Sequence, residues 1–202
     1  MKEEHDRGLP IEQLCRCPFC RTALEHDALK RKDMMENLAE RGNQYAIEDL
    51  ARQYQFGEAG YPKDIPKAIE LFIQSGELGC ASAYTRLGDI YFFGTGETIN
   101  TELAIHYYEL AAKMSDVTAR YNLGCIEKND GNEERAYKHF AMAAHAGHEN
   151  ALNYMKTGFK EGQVTNDEHG KALDEYQKSQ DEMKSDIRAA ALERKRQISN
   201  DV

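Results

Sequence analysis

The chain has 202 residues, 41% hydrophobic and 30% charged, with a formal net charge of −9. That length supports a core without staples, and the acidic balance repels nucleic acid and anionic membrane, so neither is expected as a partner. No apolar run approaches the roughly 18 to 20 residues that cross a bilayer, and the first residues lack the apolar stretch of a secretory signal; a cytoplasmic chain is expected, with the nucleus as the alternative.

Residues 1–26 read as an arm carrying Cys15-Arg16-Cys17-Pro18-Phe19-Cys20-Arg21. Five cysteines, three of them within six residues, do not make a disulfide framework. Two thiolates spaced as Cys17 and Cys20 are can turn round one zinc ion, with Cys15 and His26 completing a local set of four. The competing expectation is a thiol-bearing arm with no metal and a protein with no cofactor. Residues 27–42 then read as a capping helix.

From residue 43 the chain repeats. Aligning Ala46, Ala83, Ala119 and Ala151 places Gly42, Gly79, Ser115 and Gly147 four residues earlier and Leu50, Leu87, Leu123 and Met155 four residues later. Eight residues after the alanine stand Tyr54, Tyr91, Glu127 and Phe159. Offsets 0, 4, 5 and 8 share one side of a helix, so each unit opens with a helix A that packs on one face. Gly88 and Gly124 on that face predict close approach of another helix's backbone, since glycine inside a helix costs about 1 kcal/mol against alanine. A second helix, B, carries Ala68, Ala104, Ala136 or Ala172 with a ring four residues on: Phe72, Tyr108, Phe140 or Tyr176. The A–B linkers end in Asp64, Asn100, Asn132 and Asn166-Asp167, each able to N-cap the next helix.

These residues resemble the Sel-one-like repeat family, a branch of the tetratricopeptide-like superhelices. The second unit carries the likeness best: Ala83, Leu87-Gly88, Tyr91 and Gly94-Thr-Gly96, then Ala104, Tyr108, Ala111-Ala112 and Ser115. The resemblance implies an all-α, right-handed α-solenoid of about four helix-turn-helix repeats, near 43–79, 80–115, 116–147 and 148–180, ending in a long C-terminal capping helix. Glu127 and Ser115 depart from the pattern, and the fourth repeat is degenerate. The Cys17-Pro18-Phe19-Cys20 segment resembles the last ligand pair of a RING-type zinc finger, whose remaining ligands are missing upstream.

Residues 181–202 continue as a charged helix and tail. The spacing of Leu173, Tyr176, Met183 and Ile187 predicts one apolar face through about Leu192, able to cover the end of the stack. Its basic end, Arg194-Lys195-Arg196, suits a helix C-terminus or a nuclear address. His139, His145 and His148 read as a solvated helix end, where imidazolium faces the negative end of the dipole.

No nucleophile elbow, zincin helix, Walker loop or dinucleotide fingerprint is present, so no enzyme is expected. The resemblance implies contact with a protein or peptide on the inner wall of A helices. Offsets 2, 6 and 9 form that wall: Glu48, Arg52 and Gln55; Thr85, Asp89 and Phe92; Tyr121, Cys125 and Lys128; Asn153, Thr157 and Lys160. Arg52, Asp89, Phe92, Tyr121 and Lys128 are the expected partner-binding residues, Phe92 and Tyr121 neighbouring each other as anchors. The expected function is a non-catalytic adaptor or scaffold, expected as a monomer; the alternative is a zinc-binding accessory or fragment of a RING-type ubiquitin ligase.

Overall fold

The structure, a computed structural model, describes residues 24–96 and 98–200, with side chains over 32–96 and 98–184. The described residues form nine α-helices and no strands: α1 (Leu24–Glu40), α2 (Gln44–Phe56), α3 (Ile65–Glu77), α4 (Ala81–Phe93), α5 (Thr101–Lys113), α6 (Val117–Asn129), α7 (Glu133–His145), α8 (Glu149–Lys160) and α9 (Asn166–Asn200). They divide into two units, residues 1–83 and 84–202, with the boundary inside α4. The helix expected over 27–42 runs from Leu24 to Glu40, where a turn at Arg41 and Gly42 stops it.

One junction recurs at each passage from a B helix, or from α1, into the next A helix. The residue three before the key alanine donates its N–H back to a carbonyl five residues earlier: Asn43 to Leu38, Cys80 to Ser75, Asp116 to Ala111 and His148 to Ala143, at 3.0 to 3.1 Å. This is the Schellman closure, and it needs a left-handed residue just before. Gly42, Gly79 and Gly147 supply it with φ of 77°, 104° and 88°, and Ser115 is held at 67°. Because a side chain in that conformation is strained by about 1–2 kcal/mol, Ser115→Gly should raise the free energy of unfolding by about 1 kcal/mol after the unfolded chain's gain in freedom is deducted. Urea denaturation of the two proteins side by side measures this; an unchanged or lower midpoint would contradict the strain.

The A–B turns recur too. The residues expected to cap α3, α5 and α7 donate their N–H groups to the carbonyl at offset 8: Asp64 to Tyr54, Asn100 to Tyr91 and Asn132 to Glu127. Asp64 and Asn100 then cap through their side chains, accepting from Lys67 N and Leu103 N. Asn132 does not; its amide donates to Glu127 Oε2 at 2.9 Å, and Arg135 pairs with the same carboxylate at 2.8 Å. A polar clip thus replaces the ring where the turn is shortest, and the backbone role of offset 8 survives the substitution. Neither Asn166 nor Asp167 is the cap of α9: Thr165 accepts from Glu168 N, and Glu168 accepts from Thr165 N, a capping box.

In the first unit α2 and α3 pack through Ala46, Ile47, Ala51, Ala68, Leu71 and Phe72. Ser75, fully buried, donates to the carbonyl of Gln44. Tyr61 in the α2–α3 turn is buried against Tyr54, donates to Glu36 of α1 at 2.8 Å and lies under Lys32 Nζ. It thereby ties α1 to the first repeat.

Two core clusters stand among the described residues of the second unit. Ala104, Tyr108, Ala111, Ala119, Leu123 and Ile126 form one, covered by Tyr84, Tyr91 and Phe92. Ala136, Tyr137, Phe140, Ala143, Leu152, Met155 and Ala172 anchor the other, with Tyr121, Tyr154 and Tyr176 against it. The helix glycines answer to rings and not to another backbone: a Cβ on Gly88 would meet the Tyr108 ring, and one on Gly124 would lie 2.7 Å from Phe140 Cε1. A flat ring approaches a helix axis more closely than a second helix can, so small against large is satisfied within one repeat for these two glycines, while Gly158 meets the Tyr137 ring of the preceding repeat. α9 packs on α7 and α8 through Ala172, Leu173 and Tyr176. Met183, expected on the same face, is half exposed, so the face that meets the repeats stops short of it; Ile187 and Leu192 lie outside the described side chains.

Candidate functional site

The expected wall residues separate into two groups once their neighbours are known. Arg52, in the first unit, is exposed and paired with Asp49 one turn earlier. Gln55 is buried. In the second unit Thr85 is only 6% exposed and donates to Asp116 Oδ1 at 2.9 Å. Asp89 is half-buried and accepts from Tyr108 Oη at 2.8 Å and Asn122 Nδ2 at 3.3 Å, with Arg86 at 4.0 Å; burial pushes its carboxyl above the ordinary range. These groups join α4, α5 and α6 internally. Phe92 packs against the first core and edge-on to Phe93, and it is Phe93 that stands in solvent, 67% exposed. Phe92 and Tyr121 belong to different cores, and among the described residues no ring contact joins them.

Tyr121 and Lys128 are brought together. They face α8 across a cleft of about 310 Å³ lined by Asn150, Asn153, Tyr154, Thr157 and Glu161. Residues 150, 153, 157 and 161 follow helical spacing, so they form one polar stripe along α8 and its C-cap. The Tyr121 and Tyr154 rings, 6.1 Å apart and tilted by 53°, form the apolar part. Behind them Tyr154 stacks on buried Phe140 at 4.4 Å. Lys128 Nζ lies 3.4 Å from Tyr137 Oη and 5.3 Å from that ring's centre, which fixes the ammonium near Glu161 at one end of the cleft.

Tyr121 is also stacked by His148, with ring centroids 4.4 Å apart and planes 21° from parallel. His148 is not on a solvated helix C-terminus: it is the N-cap of α8, and its Nδ1 accepts from Ala151 N at 3.2 Å. An imidazolium cannot accept, so the neutral ring is the folded form, and burial pushes its pKa below the ordinary value. Burial does the same to His139, while His145 pairs with Glu175 at 2.9 Å. Tyr121 has its own hydroxyl pushed up to about 12, first by burial and then by its bond with the Cys125 thiol. Sequence spacing at offsets 2, 6 and 9 found four of the seven lining residues; Asn150, Tyr154 and Glu161 fall at other offsets, and only the turn of α8 toward α6 brings them in.

Cys15, Cys17 and Cys20 lie outside the described residues, as does the side chain of His26, so the expected zinc set has no geometry to report. Among the described residues no three His, Cys, Asp or Glu side chains are grouped to hold a metal, and no helix is long and apolar enough to cross a membrane.

A 94-residue stretch is 32% identical to the ERAD-associated E3 ubiquitin-protein ligase component HRD3B of Arabidopsis thaliana, covering 46% of this chain and 14% of that protein. Among solved structures, a Sel1 repeat protein of Oxalobacter formigenes superposes with a TM-score of 0.62 at 24% identity, over 72% of this chain and 62% of its own. A protective antigen of uropathogenic Escherichia coli strains, displaying an SLR fold, gives 0.60 at 26% identity, over 77% of this chain and 34% of its own. The chain thus spans less than two thirds of the length of each of these relatives, from 14% to 62%. Three consecutive stretches, 44–80, 81–116 and 118–148, match the Sel1 repeat; they make up just over half of the chain, each holds one of the first three A–B helix pairs, and the protein belongs to the Sel1 repeat family.

Proposed function

We propose that the protein is a non-catalytic adaptor or scaffold that holds a protein or peptide partner on the A-helix face of its repeats, with the α6/α8 cleft receiving a partner side chain. The cleft carries this reading: two tyrosine rings backed by a packed core make a pre-formed apolar seat, and the polar stripe of α8 offers hydrogen-bonding groups beside it. Rigid aromatics beside polar groups are what interface anchors are made of. HRD3B is named as a component of a ubiquitin-ligase assembly, and a ligase assembly is the more specific form of the reading. A fragment of a RING-type ligase is the second reading; it rests on the Cys17-Pro18-Phe19-Cys20 spacing together with that relative.

Asn153 and Thr157 are exposed and line the cleft, so arginine at either position fills it without touching the core. Capture of partners from host lysate by Asn153→Arg or Thr157→Arg should fall about tenfold or more against the parent, with melting unchanged, while Lys138→Ala on α7 should capture as the parent does. Parental capture by both arginine variants would remove the cleft from the reading.

A further inference from the structure

The same junction position is filled by Asn43, Cys80, Asp116 and His148 in the four A helices. Asn43 accepts from Tyr45 N and Ala46 N, and Asp116 from Ala119 N; the Cys80 thiol instead donates to Glu48. Only His148 caps its helix with an acceptor that a proton near neutral pH can abolish. It also does more than cap. Its N–H closes α7 by donating to Ala143, its Nδ1 opens α8 by accepting from Ala151, and its ring lies against the Tyr121 ring that forms the cleft.

We propose that His148 is a proton-operated latch on the α6/α8 cleft: the neutral ring holds the first turn of α8 and supports Tyr121, and protonation releases both. Three effects act in the same direction. The imidazolium loses its lone pair at Nδ1, leaving the Ala151 N–H without an acceptor. It puts positive charge at the positive end of α8. It also charges a partly buried ring. The released turn bears Asn150 and leads into the turn of Asn153, and α8 with its C-cap supplies five of the seven residues that line the cleft.

The titratable groups on the elements that meet at this junction are the Tyr121 hydroxyl, which lies against the ring, and the Cys125 thiol bonded to it on α6, His145 at the end of α7, Glu149 next in sequence on α8, and Glu175 of α9, which is engaged by His145. None of them offsets the effect of burial on His148. The direction follows from linkage: a depressed histidine contributes its stabilisation in full above the ordinary value of 6.5 and loses it as pH falls through the lower value in the fold. The cleft is therefore ordered at neutral pH and loosened in acid.

What the latch does for a partner rests on the proposed function, but its test does not need one. Amide exchange and histidine ring signals are followed by NMR on the full chain between about pH 7.5 and pH 5. Protection of the Ala151 amide, corrected for intrinsic exchange, should fall roughly five- to tenfold at the acid end, the size of a lost cap. The fall should track the titration of His148, and Tyr121 ring signals should shift with it. In His148→Asn, which keeps a non-titrating acceptor as Asn43 does, protection should stay level. Unchanged protection in the parent overturns the latch, and so does an equal fall in the asparagine variant. If the variant does not fold, the parent titration decides alone. A parent whose α8 loosens in acid while partner capture ignores pH supports the latch and overturns the cleft as the contact surface.

Discussion

Phe140→Ala should lower the free energy of unfolding by about 3–5 kcal/mol, the range for a fully buried ring whose site cannot collapse. Phe140 has no exposed surface, stacks on Tyr154 at 4.4 Å and is approached by Tyr121 and Tyr137 at about 6 Å. The opposing position makes the prediction specific. Gly124→Ala alone should destabilise by about 1–3 kcal/mol, because its methyl would press on the Phe140 ring edge. In the Phe140→Ala background that pressure is gone, and the same change should be neutral or favourable, since alanine exceeds glycine in a helix by about 1 kcal/mol. Urea denaturation of the four proteins forms a double-mutant cycle. Strict additivity would show that the glycine is not there for the ring.

A second large effect belongs to Leu87, which is fully buried on α4. Leu87→Ala should cost about 2–5 kcal/mol. Thr85, two residues away, looks from sequence like an exposed wall position whose loss would be silent. The structure reverses that expectation: its hydroxyl donates to Asp116, the carboxylate that also caps α6 through Ala119 N at 2.7 Å. Thr85→Ala should therefore cost about 1–2 kcal/mol, as for a hydrogen bond to a charged group, and Thr85→Val should do no better because it fills the space without the donor. Denaturation midpoints separate the cases. A silent Thr85→Ala would return the residue to solvent and break the link from α4 to α6.

The cleft was partly legible and partly not, for a reason that its residues make plain. Tyr121, Lys128, Asn153 and Thr157 share the face opposite the buried alanines, and helical periodicity alone puts them there. Asp89 and Phe92 obey the same periodicity and are nonetheless engaged inside the protein, because Tyr108 and Asn122 reach Asp89 and the first core takes Phe92. A helical wheel reports direction from one axis. Whether that direction meets solvent depends on where the next helix lies.

His148 shows the limit from the other side. In sequence it is one of three histidines near the end of a B helix, where a positive charge is welcome. Its placement one residue past Gly147 makes it the first residue of the next helix's cap, where a positive charge is unwelcome. The alignment with Asn43 and Asp116 holds that information, but only the hydrogen bond from Ala151 N states which nitrogen is used and which charge is tolerated.

Sequence by itself determined the repeat, the helix pairs and their small-against-large pairing, because these follow from backbone periodicity, from capping residues and from glycines at left-handed turns, all of them local. Tertiary structure decided what the glycines face, which polar residues hold helices together and which remain for a partner. Those outcomes depend on rings and carboxylates reaching 19 to 33 residues along the chain, as Tyr108 to Asp89 and Asn122 to Asp89 do. Such contacts are set by the angle at which packed helices meet, and no local pattern encodes that angle.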